Sequence, residues 1–457
     1  MADFFGIMAG WPLLDQIVCY LYVILLVWGG TNRFGRKGVF NEDYASLNTM
    51  KSLRGIAALS ILFHHISQEY FFQEKGVLSP FVNAGAYFVA IFFFCSGYGL
   101  LKSLDTKKDY LKGFIRKRVV RAIVIPFYIN VLIYGLLIFL VKIPLDRTQW
   151  VTNLLGLTMM NRYAWFPIVL ALLYLVFYLC FRFIKNRNIS FGIIFVFIIA
   201  IAMFCCVEGH YAWWYGPENW WMSDQYWEHW MKWWMGENIF WFSGEWWVNS
   251  APAFLTGLVF ANYEKQIISF FKKNYARRFG VLLIATVLLN KLNEFGQGYF
   301  GYWTEWNGNG PEIGDKIATY FCQLPLFLVL PVTIMIFMLK YHVENPITRF
   351  FGKYSLHTYL MNLAAITVLR FIEVPDVVVS VGDVKNNLLI YAVSVVILSV
   401  LLGVGEQRIT DNVLYLLSGN RIKEKADHSR PSLLEADGKK ATKAQVMAEA
   451  REEEKKE

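Results

Sequence analysis

An arginine and a histidine pair stand in an otherwise apolar stretch, Met50 to His65, with the sequence MKSLRGIAALSILFHH. On an α-helix, Arg54 and His65 project about 20° from one another and lie roughly 17 Å apart along the axis. If Arg54 lies at a membrane interface, His65 lies near the bilayer midplane, where polar residues are costly and usually functional. A histidine there can serve as a general base on a hydroxyl. His64 projects about 80° from Arg54 and is the weaker candidate. The alternative is that both histidines only form interhelical hydrogen bonds.

A strongly basic segment follows the third apolar stretch. The sequence KSLDTKKDYLKGFIRKRVVR carries eight basic residues, and its last three are Lys117, Arg118 and Arg121. On an α-helix Arg118 and Arg121 would be neighbours, and two guanidinium groups can hold a phosphate in bidentate geometry. Contact with anionic lipid is the alternative. Upstream, Ser96 offers a hydroxyl, but no nucleophile elbow surrounds it, and a serine bonded to its own helix explains it equally well.

Three pieces of sequence, in this order and spacing, resemble the acyltransferase 3 family of multi-pass membrane acyltransferases. They are the Arg54–His65 spacing, the segment FFFCSGYGLL that contains Ser96, and the basic segment FIRKRVVR that ends at Arg121. The resemblance implies a membrane-bound O-acyltransferase. It also implies an acyl-CoA donor on the cytoplasmic side, with acetyl-CoA expected, and no permanently bound cofactor. The acceptor would be a hydroxyl of an extracytoplasmic or lipid-linked carbohydrate, as in O-acetylation of cell-envelope polysaccharide.

In that interpretation the catalytic residues are His65, Arg54 and Ser96. His65 would act as general base, and Ser96 would help to stabilise the oxyanion. Lys117, Arg118 and Arg121 would bind the phosphates of the donor. A later helix, SLHTYLMN, resembles a family motif but has Asn362 where the family frequently has histidine, so no role of that histidine is carried over. The alternative function is a multi-pass transporter that uses Arg54 and His65 as a substrate or proton relay, although the chain shows no internal repeat.

Composition predicts an all-α, polytopic membrane protein, because 56% of the residues are hydrophobic and only 17% are charged. The six cysteines all lie in apolar segments, without disulfide or zinc-ligand spacing. We expect an additional helix and basic loop over 1–52, the acyltransferase domain over 53–405 and a charged cytoplasmic tail over 406–457. About eleven membrane helices are predicted, at 12–30, 53–70, 81–101, 122–141, 163–181, 189–207, 246–262, 279–296, 317–339, 354–372 and 388–405.

Basic residues are distributed unevenly between the two sides of this helical arrangement. Of the 44 lysines and arginines, 35 fall in alternate connecting segments and the tail. The positive-inside rule therefore predicts that the N-terminus is outside and the C-terminus is cytoplasmic, whereas the family usually has ten helices and a cytoplasmic N-terminus. We expect the protein in the cell membrane (plasma or inner membrane). This distribution also explains the net charge of +9 without a nucleic-acid partner. No pattern indicates an oligomeric state.

An outer segment between 208 and 247 holds eleven of the seventeen tryptophans. A helix there would align Trp220, Trp227, Trp230 and Trp234 in one stripe. Such a stripe can anchor the segment in the outer membrane interface, or it can stack against the sugar rings of an acceptor. The sequence leaves both interpretations open.

Overall fold

The computed structural model describes residues 11–140, 147–208, 239–240, 248–301, 313–371 and 388–417. The α-helices are α1 (Leu13–Val27), α2 (Leu47–Ser67), α3 (Tyr70–Gln73), α4 (Gly85–Thr106), α5 (Ile125–Leu140), α6 (Arg147–Leu154), α7 (Trp165–Phe183), α8 (Arg187–Glu208), α9 (Pro252–Asn262), α10 (Glu264–Lys273), α11 (Tyr275–Tyr299), α12 (Ile313–Met338), α13 (Pro346–Phe371) and α14 (Leu388–Leu417). A π-helix (Ile115–Val124) runs directly into α5, and single 3₁₀ turns cover Ser79–Phe81 and Arg162–Ala164. The strands are β1 (Gly30–Asn32), β2 (Thr158–Met159), β3 (Ile239–Phe240) and β4 (Tyr341–Val343).

The all-α membrane fold predicted from composition is confirmed. Among the described residues, seven helices are long and apolar enough to cross a membrane: α4, the π-helix with α5, α7, α8, α11, α12 and α14. A helix also occupies each of the other four predicted segments, but the count of eleven spans is not confirmed. Helices α1 and α9 are short, and α2 and α13 carry charged and polar residues within their apolar sequence.

The predicted cytoplasmic segments contact one another at one end of the helices, which we call the basic end. Strands β1 and β4 pair in antiparallel register there, with Thr31 opposite His342. Ion pairs join Lys102 to Glu264 at 2.8 Å, Arg187 to Asp105 at 2.5 Å and Lys272 to Glu42 at 2.7 Å. Five of the six segments rich in basic residues therefore lie on a common side.

Glu264, the first residue of α10, is held by three side chains at the basic end. Its carboxylate accepts hydrogen bonds from Tyr44, Tyr98 and Lys102. Burial raises the pKa of Glu264, but these hydrogen bonds and the lysine charge outweigh burial, so the pKa lies below its ordinary value. Glu264 is therefore an ionised carboxylate that fixes α10 to the end of α4.

Helix α2 is the central element, since most of its side chains are buried. Ser46 caps its N-terminus by accepting a hydrogen bond from the Thr49 amide at 3.1 Å. Two glycines set its distance from α13. A methyl group on Gly55 would lie 1.8 Å from the carbonyl oxygen of Thr348, and one on Gly352 would lie 1.9 Å from that of Lys51. Backbone-to-backbone packing through small residues is typical of membrane helices, and here it brings the side chains of α2 and α13 into contact.

The chain divides into two units, 1–411 and 412–457. All the functional residues discussed below belong to the first unit. The described part of the second unit is 412–417, the end of α14. The predicted charged tail beyond 417 lies outside the described residues.

Candidate active site

His65 is buried in the last turn of α2, with 6% of its surface exposed. Its Nδ1 atom lies 2.7 Å from the Oδ1 atom of Asn362 on α13. Its ring stacks on Tyr163, with ring centres 3.6 Å apart and planes 8° from parallel. A hydrogen bond in the plane of the ring and an aromatic face against it fix the imidazole in one orientation.

The hydrogen-bond chain behind Asn362 determines which nitrogen of His65 carries the proton. The Ser399 hydroxyl donates to the carbonyl oxygen of Val395 at 2.7 Å, so its oxygen must accept from the amide nitrogen of Asn362, 3.0 Å away. The Asn362 carbonyl oxygen therefore faces His65 and can only accept. Nδ1 of His65 must be the donor, and in the neutral ring the unshared electron pair is on Nε2.

His64 lies in a different environment from its neighbour. Its Nδ1 atom is 2.8 Å from the carbonyl oxygen of Phe81, and its Nε2 atom would be 2.3 Å from a methyl group on Gly85. His64 thus contacts the segment between α3 and α4, whereas His65 contacts α13. The two histidines project in different directions, as helical spacing requires.

Arg54 lies about three turns from His65 along α2 and is half-buried. Its charge acts on Cys95 of α4 and on Tyr174 of α7. Arg118 also acts on Tyr174, and its guanidinium lies 5.7 Å from the centre of the Tyr110 ring. The charges of Arg54 and Arg118, which are 64 positions apart in the sequence, therefore act on the same tyrosine.

These interactions define two levels along α2. His65 stacks on Tyr163, and the charge of Arg54 acts on Tyr174. His65 follows Arg54 by eleven residues on α2. In the other segment the order is reversed, since Tyr163, which stacks on His65, precedes Tyr174 by eleven residues. We call these two places the histidine level and the arginine level. They are roughly 17 Å apart along α2.

Ser96 belongs to the arginine level. Its side chain interacts with that of Tyr174, on which Arg54 and Arg118 also act. The chain therefore groups Ser96 with the arginines, whereas the side chains in contact with His65 come from other elements.

The remaining basic residues lie on the π-helix, so the α-helical spacing argument does not apply to them. The i to i+5 bonding of a π-helix gives a turn that holds roughly one residue more than an α-helical turn. Residues three apart, such as Arg118 and Arg121, no longer lie above one another. Lys117 is exposed, and Arg121 is half-buried. Arg118 is the one of the three whose charge acts on Tyr174.

The tryptophan stripe of Trp220, Trp227, Trp230 and Trp234 lies outside the described residues. Its role therefore stays a prediction.

A buried polar network that was not predicted from the sequence lies beside the histidine level. Glu406 of α14, 1% exposed, accepts from Asn130 at 3.0 Å and lies 3.1 Å from Nδ1 of His357. The side chain of Asn161 donates to the side-chain oxygen Oδ1 of Asn130 at 2.9 Å and accepts from the backbone amide of Tyr163 at 3.0 Å. The network thus reaches the tyrosine that stacks on His65. The signal in the sequence was a lone carboxylate at the end of an apolar stretch, which in a membrane generally needs a partner.

Comparison with known proteins adds one match. The family model of the acyltransferase domain, Acyl_transf_3, covers residues 47–405. That range begins at the first residue of α2 and includes both levels of the site, while Glu406 follows directly after it. A search of curated proteins and one of solved structures found no match.

Proposed function

The chain belongs to the acyltransferase 3 family, and we propose that it transfers an acyl group, with acetyl expected, from acyl-CoA to a carbohydrate hydroxyl. Membership of the family establishes a membrane acyltransferase in general terms and favours an enzyme over a transporter. The donor, the acceptor and the role of each residue belong to the proposal.

The observation that carries the proposal is the chain from Val395 through Ser399 and Asn362 to His65. In the neutral ring, this chain makes Nε2 the nitrogen that accepts a proton, which is the tautomer that general-base catalysis on a hydroxyl requires. A ring in this fixed tautomer can accept a proton without first reorienting.

The donor binds at the arginine level, and the chemical step takes place at the histidine level. Arg54 and Arg118 bind the phosphates of acyl-CoA, because guanidinium groups recognise phosphate oxygens through parallel hydrogen bonds. The pantetheine arm of coenzyme A is long and flexible, so it can carry the thioester along α2 from the arginine level to the histidine level. Arg121 and Lys117 add positive charge where the donor enters.

In the reaction, Nε2 of His65 takes the proton of the acceptor hydroxyl while the hydroxyl oxygen attacks the thioester carbonyl carbon. The carbonyl oxygen gains the negative charge. When the tetrahedral intermediate collapses, the carbon–sulfur bond breaks, and the departing thiolate receives the proton from the His65 imidazolium. The products are the ester and free coenzyme A, and the enzyme returns to its starting protonation state.

We place the arginine level on the cytoplasmic side, where acyl-CoA is found, and the acceptor on the opposite side. The contacts at the basic end support a common side for the basic segments, and the positive-inside rule supports a cytoplasmic location for that side. The tryptophan-rich segment would then be extracytoplasmic, where indole rings can stack on sugar rings of a cell-envelope polysaccharide.

The test is transfer of radiolabel from acetyl-CoA to membrane or cell-wall glycan by the purified protein in lipid nanodiscs. We expect alkali-labile label on the glycan and an equal amount of free coenzyme A. Longer acyl-CoA donors and an acceptor-free reaction serve as comparisons. Absence of transfer from every donor tested would contradict the proposal.

A further inference from the structure

Tyr359 is the second side chain of α13 that lies beside His65. It precedes Asn362 by three residues, so the two side chains project from one face of the helix. The centre of its ring lies 5.8 Å from that of His65, 6.3 Å from that of Tyr163 and 6.1 Å from that of Phe166. Tyr359 therefore forms part of the wall around the imidazole.

The hydroxyl of Tyr359 is buried and makes no hydrogen bond within the part of the chain that the structure describes. A buried tyrosine normally finds a partner for this group, and leaving it unsatisfied costs about 1–3 kcal/mol. Phenylalanine would fill the same space without that cost. An unsatisfied donor on a ring that lies beside the candidate base indicates a partner that arrives with the substrate.

We propose that Tyr359 is a catalytic residue whose hydroxyl donates a hydrogen bond to the carbonyl oxygen of the acyl thioester. The inference rests on the proposed function. As the acceptor oxygen attacks the carbonyl carbon and His65 takes its proton, the carbonyl oxygen becomes an oxyanion, and the bond from Tyr359 shortens and strengthens. Tyr359 keeps its proton throughout. When the carbon–sulfur bond breaks, the carbonyl re-forms and the thiolate takes the proton from His65.

The position of Tyr359 suits this role better than that of Ser96, whose side chain interacts with Tyr174 at the arginine level. A donor for the oxyanion must lie beside the base, because the carbon under attack is within one bond of the oxygen that the base deprotonates. A neutral hydroxyl in a water-poor site also stabilises a developing negative charge more strongly than it would in water.

The experiment compares Tyr359→Phe with the wild-type protein in nanodiscs, with acetyl-CoA and glycan varied separately. Loss of one oxyanion donor lowers kcat by roughly 10²–10³-fold. We expect that loss with little change in the KM for acetyl-CoA. The melting temperature should not fall, because the substitution removes an unsatisfied group and keeps the ring. A lower melting temperature with unchanged kcat would show a structural role and overturn the inference.

The matched control is Tyr320→Phe. Tyr320 of α12 is fully buried and its hydroxyl also makes no hydrogen bond among the described residues, but the ring contact that the structure gives it is with Phe321. We expect wild-type kcat for this variant. Wild-type kcat for Tyr359→Phe, or a rise only in the KM for the glycan, would overturn the oxyanion role and leave the acyltransferase proposal standing. Failure of the wild-type protein to transfer would overturn both.

Discussion

The Nδ1 atom of His65 and the Oδ1 atom of Asn362 are 2.7 Å apart, although 297 positions separate the two residues in the sequence. The close approach of α2 and α13 at Gly55 and Gly352 makes this contact possible. The contact joins His65 to the side-chain amide of Asn362, and Ser399 sets the orientation of that amide.

The first prediction concerns Asn362. Asn362→Leu should lower kcat roughly 10²-fold, because the imidazole loses its fixed tautomer and orientation. Asn362→Asp keeps an acceptor for Nδ1–H and should retain most of the activity. Ser399→Ala should cost less than Asn362→Leu, since the amide keeps its contact with His65. Steady-state kinetics with varied acetyl-CoA would measure this, and wild-type kcat for Asn362→Leu would rule out the positioning role.

Much of this arrangement could be predicted from the sequence. The rest could not, and each case has a physical reason. Apolar stretches and the Arg54–His65 spacing depend only on local periodicity, so the helices and the two levels on α2 were predictable. The partner of His65 was not, because a contact across 297 positions depends on how helices pack. The π-helix departs from the α-helical spacing assumed for Arg118 and Arg121. The count of eleven spans is not confirmed, since α2 and α13 combine apolar sequence with the polar residues that form the site.

The second prediction concerns donor binding. Arg54→Lys should raise the KM for acetyl-CoA by about tenfold, because an ammonium group cannot reproduce the paired hydrogen bonds of a guanidinium. The control is Arg182→Lys, since Arg182 is exposed near the end of α7, away from the contacts of the arginine level. Kinetics at constant glycan concentration provide the measurement. An equal change for both variants would show that the effect is not specific to Arg54.

The third prediction concerns the buried pair of Glu406 and His357. Glu406→Leu should destabilise the protein by about 3–5 kcal/mol, because it leaves His357 and Asn130 buried without their acceptor. The double variant with His357→Leu should recover part of that loss. Melting temperatures in detergent or nanodiscs would show both effects. Equal melting temperatures for the wild type and Glu406→Leu would mean that the pair contributes nothing to stability.

The fourth prediction concerns orientation. Reporter tags at the C-terminus and within 102–121 should be cytoplasmic, because these segments carry the excess of basic residues. Tags at the N-terminus and near Trp220 should be outside. Protease protection or impermeant labelling in intact cells provides the measurement. A cytoplasmic N-terminal tag would contradict the additional helix that we place before α2.

The role of His65 as general base is tested most directly by acyl transfer with the His65→Ala variant. The His64→Ala variant of the neighbouring residue is the control. General-base catalysis contributes about 10²–10⁴-fold, so kcat for His65→Ala should fall by that amount while the protein keeps its melting temperature and its binding of acetyl-CoA. His64→Ala should lose much less, because His64 contacts Phe81 and not the histidine level. Wild-type kcat for His65→Ala would show that this histidine is not the base.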